Sequence, residues 1–159
     1  FAARQIERVT HEGHDAFRTP MPDLLLRLQR REYYRLTAAN PHTLSCLIPV
    51  TVDWQKKIIS VEAAVVDISG GGLAVLVPPG EVAFEPEMEF ADCRLMLPET
   101  GPIATSLRVR NLFRITNRDG SIMLRAGCEF VDLPASMAST IQRYILKAER
   151  ERNARERIR

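Results

Sequence analysis

The sequence predicts a mainly β domain, an antiparallel barrel that ends in a single α-helix. Three observations carry this. Apolar residues alternate with polar ones over short stretches, as in Leu44, Cys46, Ile48, Val50 and Val52, which is the period of a half-buried strand. Clusters of Gly, Pro, Asn and Asp separate these stretches at short intervals, the spacing of a small sandwich or barrel. Near the end the period changes: Met137, Ile141, Tyr144, Ile145 and Ala148 recur at helical spacing.

In chain order, Ala2 to Val9 alternates weakly, Thr10 to Asp15 resembles a turn, and Ala16 to Thr19 supplies a second short strand. Thr19-Pro-Met-Pro22 then stops regular structure, because proline lacks a donor and restricts the residue before it. Pro22 to Leu28 fits a short helical turn, followed by the charged and aromatic run Gln29 to Arg35. Strands are expected over Thr43–Val52, Ile58–Val66, Leu73–Val77, Met88–Leu97, Ile103–Thr116 and Ser121–Val131. The last two flank Asp119-Gly120, a tight hairpin signal. Pro134 suits the first turn of the closing helix, with Asp132 or Ser136 as its cap. From about residue 149 the chain is almost wholly charged, so the helix leaves the core there or frays.

Composition narrows the class. A chain of 159 residues suits one full domain with a fragment of another. Its 45% hydrophobic and 26% charged content is that of a globular protein. No apolar run approaches the roughly 20 residues of a membrane span, so no membrane insertion is expected, and the start lacks the apolar stretch of a signal peptide. The net charge is +2, and Lys147 to Arg159 alone carries six Lys/Arg against three Glu, leaving −1 for the rest. That is not the broad basic face of a duplex binder. Cys46, Cys93 and Cys128 are odd in number and far apart, which argues for buried thiols and a reducing, cytoplasmic setting. His11, His14 and His42 form no recognised ligand set with them, so no metal is expected. No catalytic residue is expected either: the histidines lack a Ser or Cys partner in a known pattern, and no paired carboxylates stand out.

Two segments carry candidate chemistry. Arg31-Glu-Tyr-Tyr-Arg35 places two arginines four apart, with Arg30 and Arg27 beside them. Guanidinium is a planar fork of donors that fits phosphate or the O6/N7 edge of guanine, and it stacks on bases. Alone, this run also fits a solvated basic linker. Asp67-Ile-Ser-Gly-Gly-Gly72 places Asp67 and Ser69 on one side of an extended segment. The glycines, Gly71 and Gly72 among them, permit left-handed backbone and close approach of a ligand. Alone, this reads equally as a turn between strands.

Together, in this order and ahead of a small barrel, the two segments resemble the PilZ family, whose signature is RxxxR followed some thirty residues later by [D/N]xSxxG. Arg31 and Arg35 match the first part; Asp67, Ser69 and Gly72 match the second. Gln29 to Arg35 and Ala126-Gly-Cys-Glu-Phe130 are similar to the flagellar brake (YcgR-type) branch. The resemblance covers about residues 29 to 148. It implies a six-stranded, Greek-key-like antiparallel barrel and a receptor for the second messenger cyclic di-GMP, needing no other cofactor. It implies ligand contacts from Arg30, Arg31, Arg35, Asp67, Ser69, Gly71 and Gly72. It further implies an arginine-bearing loop that reorders on binding, motility as the output, and flagellar motor or switch proteins as partners, at the flagellar basal body. The division it suggests is residues 1–22 as the remnant of a preceding β domain, 23–36 as linker and switch loop, 37–133 as barrel, and 134–159 as helix and charged tail. Arg30 leaves two stoichiometries open, one ligand or an intercalated ligand dimer. The oligomeric state is open between monomer and homodimer. Two competing functions remain: a nucleic-acid-binding β-barrel using Arg27 to Arg35 on phosphates, and a protein–protein scaffold of PilZ type. No specific nucleic acid is favoured.

Overall fold

A computed structural model describes residues 5–21, 24, 29, 31–38, 44–52, 57–78, 83–116 and 120–156. It divides into two compact units, Phe1–Glu32 and Tyr33–Arg159.

The first unit contains a hairpin of β1 (Glu7–His11) and β2 (His14–Arg18). Its loop is only Glu12-Gly13, with φ of 50° and 81°. Positive φ at both central residues is what a two-residue turn needs to match the twist of its strands. The turn is therefore shorter than the Thr10–Asp15 stretch expected from sequence. Arg18 opposes Glu7 in the ladder and pairs with it at 2.7 Å. The helical turn expected over Pro22–Leu28 falls almost wholly outside the described residues.

The second unit is built from β3 (Arg35–Thr37), β4 (Ser45–Val52), β5 (Lys57–Ser69), β6 (Gly72–Leu76), β7 (Glu89–Leu97), β8 (Gly101–Thr116), β9 (Ile122–Val131) and helix α1 (Ala135–Glu156). The order β5-β4-β7-β8-β9-β6 returns to β5, so six antiparallel strands form a closed barrel. Short β3 pairs with β5 through Arg35–Ser69, Leu36–Ile68 and Thr37–Asp67, beyond the stretch that β4 occupies. Register shifts at Val65/Asp67, Phe90/Cys93 and Val109/Asn111 bend the long strands around the barrel. The second of these includes Asp92 at φ 56°.

The alternating residues read from sequence do point inward. Leu44, Cys46, Ile48, Val65, Ile68, Val75, Leu95, Leu107 and Val109 are all nearly or fully buried. The three cysteines are buried and free. Burial pushes the Cys128 thiol up to about 12, and a hydrogen bond with Cys93 together with burial raises Cys46. Such thiols stay protonated at neutral pH and pack as small hydrophobes. Helix α1 covers one end of the barrel. Ile141 and Ile145 are buried there, and Met137, Tyr144 and Ala148 pack beside them. The helix does not fray at residue 149. It leaves the core and continues, exposed, to Glu156. No helix among the described residues is long and apolar enough to cross a membrane.

Ile141 anchors the helix, so Ile141→Ala is expected to cost about 2–5 kcal/mol. Urea unfolding followed by circular dichroism would show this as a lower midpoint. An unchanged midpoint would mean that the helix contributes little to the core.

Candidate functional site

Directly opposed residues on neighbouring strands share a face, and successive residues alternate. Ile68 opposes Leu36 and Leu73, and all three are buried, so this row points inward. Asp67 and Ser69 on either side of Ile68 must then point outward. Two outward rows result. One runs Arg35–Ser69–Gly72–Glu129–Arg108 and the other Thr37–Asp67–Ala74–Gly127–Asn111. The sequence-predicted residues Arg35, Asp67, Ser69 and Gly72 are thus brought together on the outer wall, with Gly71 in the adjoining turn. Arg31 is exposed and belongs to the first unit, where Gln29 Nε2 donates to its carbonyl at 3.1 Å. Arg30, Arg27 and His42 lie outside the described residues.

Strand β5 does not break at Asp67, as the sequence suggested. It continues through Ser69, and only Gly70-Gly71 turn the chain. The reason is that Leu36, Ile68 and Leu73 maintain the inward period across the motif. Within the hairpin, the Ser69 hydroxyl donates to the Gly72 carbonyl at 3.1 Å.

The glycines also need a corrected explanation. None of Gly70, Gly71 and Gly72 has positive φ. What they provide is close approach, and the protein's own atoms use it. A Cβ on Gly70 would lie 2.6 Å from the Tyr33 ring, and one on Gly71 would lie 3.1 Å from it. A Cβ on Gly72 would lie 2.1 Å from the Cys128 carbonyl oxygen on β9. Tyr33 therefore lies over the turn, and β9 presses against Gly72.

Charges on this wall are mostly matched. Arg125, on β9, reaches across β6 and donates Nη2 to Asp67 Oδ2. Arg108 donates Nη1 to Glu129 at 2.9 Å and Nε to Glu89 at 2.7 Å. Those carboxylates, Glu89 first, raise its pKa. Arg110 bonds Glu87 at 2.8 Å and approaches the second Glu129 oxygen at 3.5 Å. Arg35 differs: it is exposed and no carboxylate among the described residues pairs with it. An unmatched guanidinium beside an outward Ser and Asp can receive an anion that its paired neighbours cannot.

Sequence reading missed Tyr33, Arg125 and Asn111. No local signal distinguishes Arg125 from any solvent-facing strand residue; the register alone brings it to Asp67. It also missed a cleft of about 470 Å³ between β3, the Pro98–Thr100 turn and α1, whose lining includes Leu36, Leu44, Tyr144, Lys147 and Arg152. Burial pushes the Tyr144 hydroxyl up. Lys147 pairs with Glu99, and Arg152 donates to the Tyr34 hydroxyl at 2.8 Å. Arg35, Asp67, Ser69 and Gly72 do not line this cleft. Among the described residues, no group of three or more His, Cys, Asp or Glu is placed to hold a metal.

Fold and site together define a closed six-stranded barrel, capped by one helix, that carries its polar signature residues on the outer wall rather than in a bore. The chain belongs to the PilZ domain family, which residues 29–147 match. It is 57% identical over 147 residues to the flagellar brake protein YcgR of Azoarcus sp. (strain BH72), covering 92% of this chain and 56% of that protein. It is 46% identical over 146 residues to the YcgR of Thauera aminoaromatica, covering 92% and 55%. The chain thus spans about half the length of these curated relatives. Among solved structures it is similar to Escherichia coli YcgR in complex with c-di-GMP, with a TM-score of 0.67 and 21% identity over 98% of this chain and 62% of that one. It is also similar to the K. pneumonia MrkH-c-di-GMP complex, with a TM-score of 0.72 and 22% identity over 94% and 66%. At these identities the likeness is one of fold.

Gly72→Ala forces a methyl into the Cys128 carbonyl and is expected to cost about 1–3 kcal/mol. Thermal melts of the two proteins would show a lower midpoint for the variant. An equal midpoint would mean that β6 and β9 are not pressed together at this position.

Proposed function

We propose that this chain is the PilZ part of a cyclic di-GMP receptor, acting by binding rather than catalysis. The observation that carries the proposal is the Arg35 guanidinium, which no carboxylate among the described residues pairs, set directly across the ladder from Ser69 and two register positions from Asp67. Cyclic di-GMP offers both of the groups such a site would suit. Its phosphates and guanine O6/N7 edges accept from arginine forks, and its guanine N1–H and N2–H donate to a carboxylate. The relatives named flagellar brake proteins, and the similar structures solved in complex with c-di-GMP, support the same ligand.

In this reading Arg35 and Arg31 clamp the ligand, Asp67 reads a guanine edge, and Ser69 meets a phosphate or base. Gly71 and Gly72 adjoin them, Gly71 beneath the Tyr33 ring and Gly72 against β9, and would meet the ligand through their backbone. Arg31 precedes Arg35 by four residues in the chain, the spacing on which the two forks would meet one ligand. Arg30 would meet a second guanine, which makes an intercalated ligand dimer the alternative to a single ligand. A ligand shifts a loop only through contacts made better in one state. Those contacts are the arginine forks, so binding would order the segment around Arg30 to Arg35. Residues 1–22 would be the end of a preceding β domain and would carry the change onward, to flagellar motor or switch proteins. The free thiols fit a reducing compartment, and we place the receptor in the cytoplasm at the flagellar base. A nucleic-acid-binding role gains nothing from a wall on which Arg108, Arg110 and Arg125 are already paired.

Titration calorimetry with cyclic di-GMP on wild type, Arg31→Ala and Arg35→Ala tests the assignment. A charge-assisted contact is worth about 1.5–3 kcal/mol, so each variant should bind at least about tenfold more weakly. Heats of one or two ligands per chain would settle the stoichiometry. Unchanged affinity in both variants would overturn the proposal.

A further inference from the structure

We infer that Arg125 is a positioning residue for guanine: it ties one oxygen of the Asp67 carboxylate and leaves the other turned to the ligand face. The inference deepens the receptor reading above and rests on it. The Asp67 side chain is 12% exposed and that of Arg125 33%. A carboxylate so covered needs a partner, and Arg125 Nη2 supplies one at Oδ2. Among the described residues no donor meets Oδ1.

The surroundings of this pair carry little side-chain bulk on the strands beside Asp67, where Ala74 is itself buried. Along the Asp67 row the neighbouring residues are Ala74 and Gly127, a methyl and no side chain at all. The Asn111 side chain lies against Gly127, where a Cβ would come within 2.3 Å of Asn111 Oδ1. Guanine presents two parallel donors, N1–H and N2–H, and a carboxylate takes both when its plane matches the base plane. A free carboxylate rotates, and holding it still on binding costs side-chain entropy. One fixed by Arg125 is already oriented. Each carboxylate oxygen has two lone-pair sites, so Oδ2 can keep Arg125 and still accept from guanine. Arg125 thus acts through Asp67, by presenting both acceptors at a fixed angle.

The test uses the full chain and two probes, cyclic di-GMP and its inosine analogue, which lacks both exocyclic amines. Calorimetry is run on wild type, Arg125→Gln, Asp67→Asn and the double variant, with a thermal melt of each. Arg125→Gln should weaken cyclic di-GMP binding about tenfold and narrow its preference over the inosine analogue. In the Asp67→Asn background the same change should add no more than about twofold, because coupled residues fail to add. Arg125→Lys keeps the charge without the planar fork and supplies the same comparison where Arg125→Gln melts below the titration temperature. Effects of Arg125→Gln and Asp67→Asn that multiply in full would overturn the inference. So would an unchanged preference between the two probes. If Asp67→Asn weakens binding and the Arg125 variants do not, the inference fails and the receptor reading stands. If wild type binds neither probe, the receptor reading fails and takes the inference with it.

Discussion

Strand β5 makes ladders on both of its edges, to β4 and then β3 on one side and to β6 on the other. This double pairing turns six strands into a ring, and it removes the open edges that leave backbone groups unpaired. The ring can close only if β6 leaves β5 through a two-residue turn and then lies flush against β9. Gly70 and Gly71 make that turn under the Tyr33 ring, and Gly72 allows the backbone of β9 to come within contact of β6. Closure therefore accounts for the glycines before any ligand is considered. It also accounts for the direction of Asp67 and Ser69. Ile68 must fill the interior opposite Leu36 and Leu73, and its two neighbours are turned outward as a consequence.

Electrostatics then separates the arginines of this wall. Arg108 and Arg110 share Glu87, Glu89 and Glu129 in exposed pairs, which water and salt screen and which contribute little to stability. Their contribution is to neutralise one end of the outward row. Arg125 is held by a less exposed carboxylate. Arg35 stands apart from all of these: among the described residues no carboxylate pairs with it, which leaves it for an anion arriving at the wall. The cleft beside α1 has another character: it is lined in part by Leu36, Leu44 and Tyr144, and two of its four basic residues, Lys147 and Arg152, are engaged with Glu99 and Tyr34.

Much of this was legible in the sequence because it follows local periods. Alternation located the strands of the barrel to within a few residues, and the change of period after Pro134 located the helix. Ile141 and Ile145 were readable as its buried face. What escaped depends on register, which no local pattern carries. Asp67-Ile-Ser69 looked like the start of a turn, since three glycines follow it, yet the inward demand on Ile68 extends the strand. The glycines read as permitting left-handed backbone and close approach of a ligand; none is left-handed, and the close approach is made by Tyr33 and Cys128. Arg125 sits in Met123-Leu-Arg-Ala126 with nothing to mark it. Its meeting with Asp67 requires knowing that β6 lies between β5 and β9. The tail left two readings open, since charge density says that a segment is exposed and does not say whether the helix has ended; the helix leaves the core and continues.

The central claim is that ligand is held on the outer wall along the β3–β5–β6–β9 rows. An amide NMR titration of the full chain with cyclic di-GMP tests it most directly. The account predicts shift changes concentrated at Arg35, Asp67 to Ala74 and Arg125 to Glu129, with the amides of Tyr144 to Arg152 little affected. Changes centred on the cleft between α1 and Pro98–Thr100, with the two outward rows undisturbed, would contradict it.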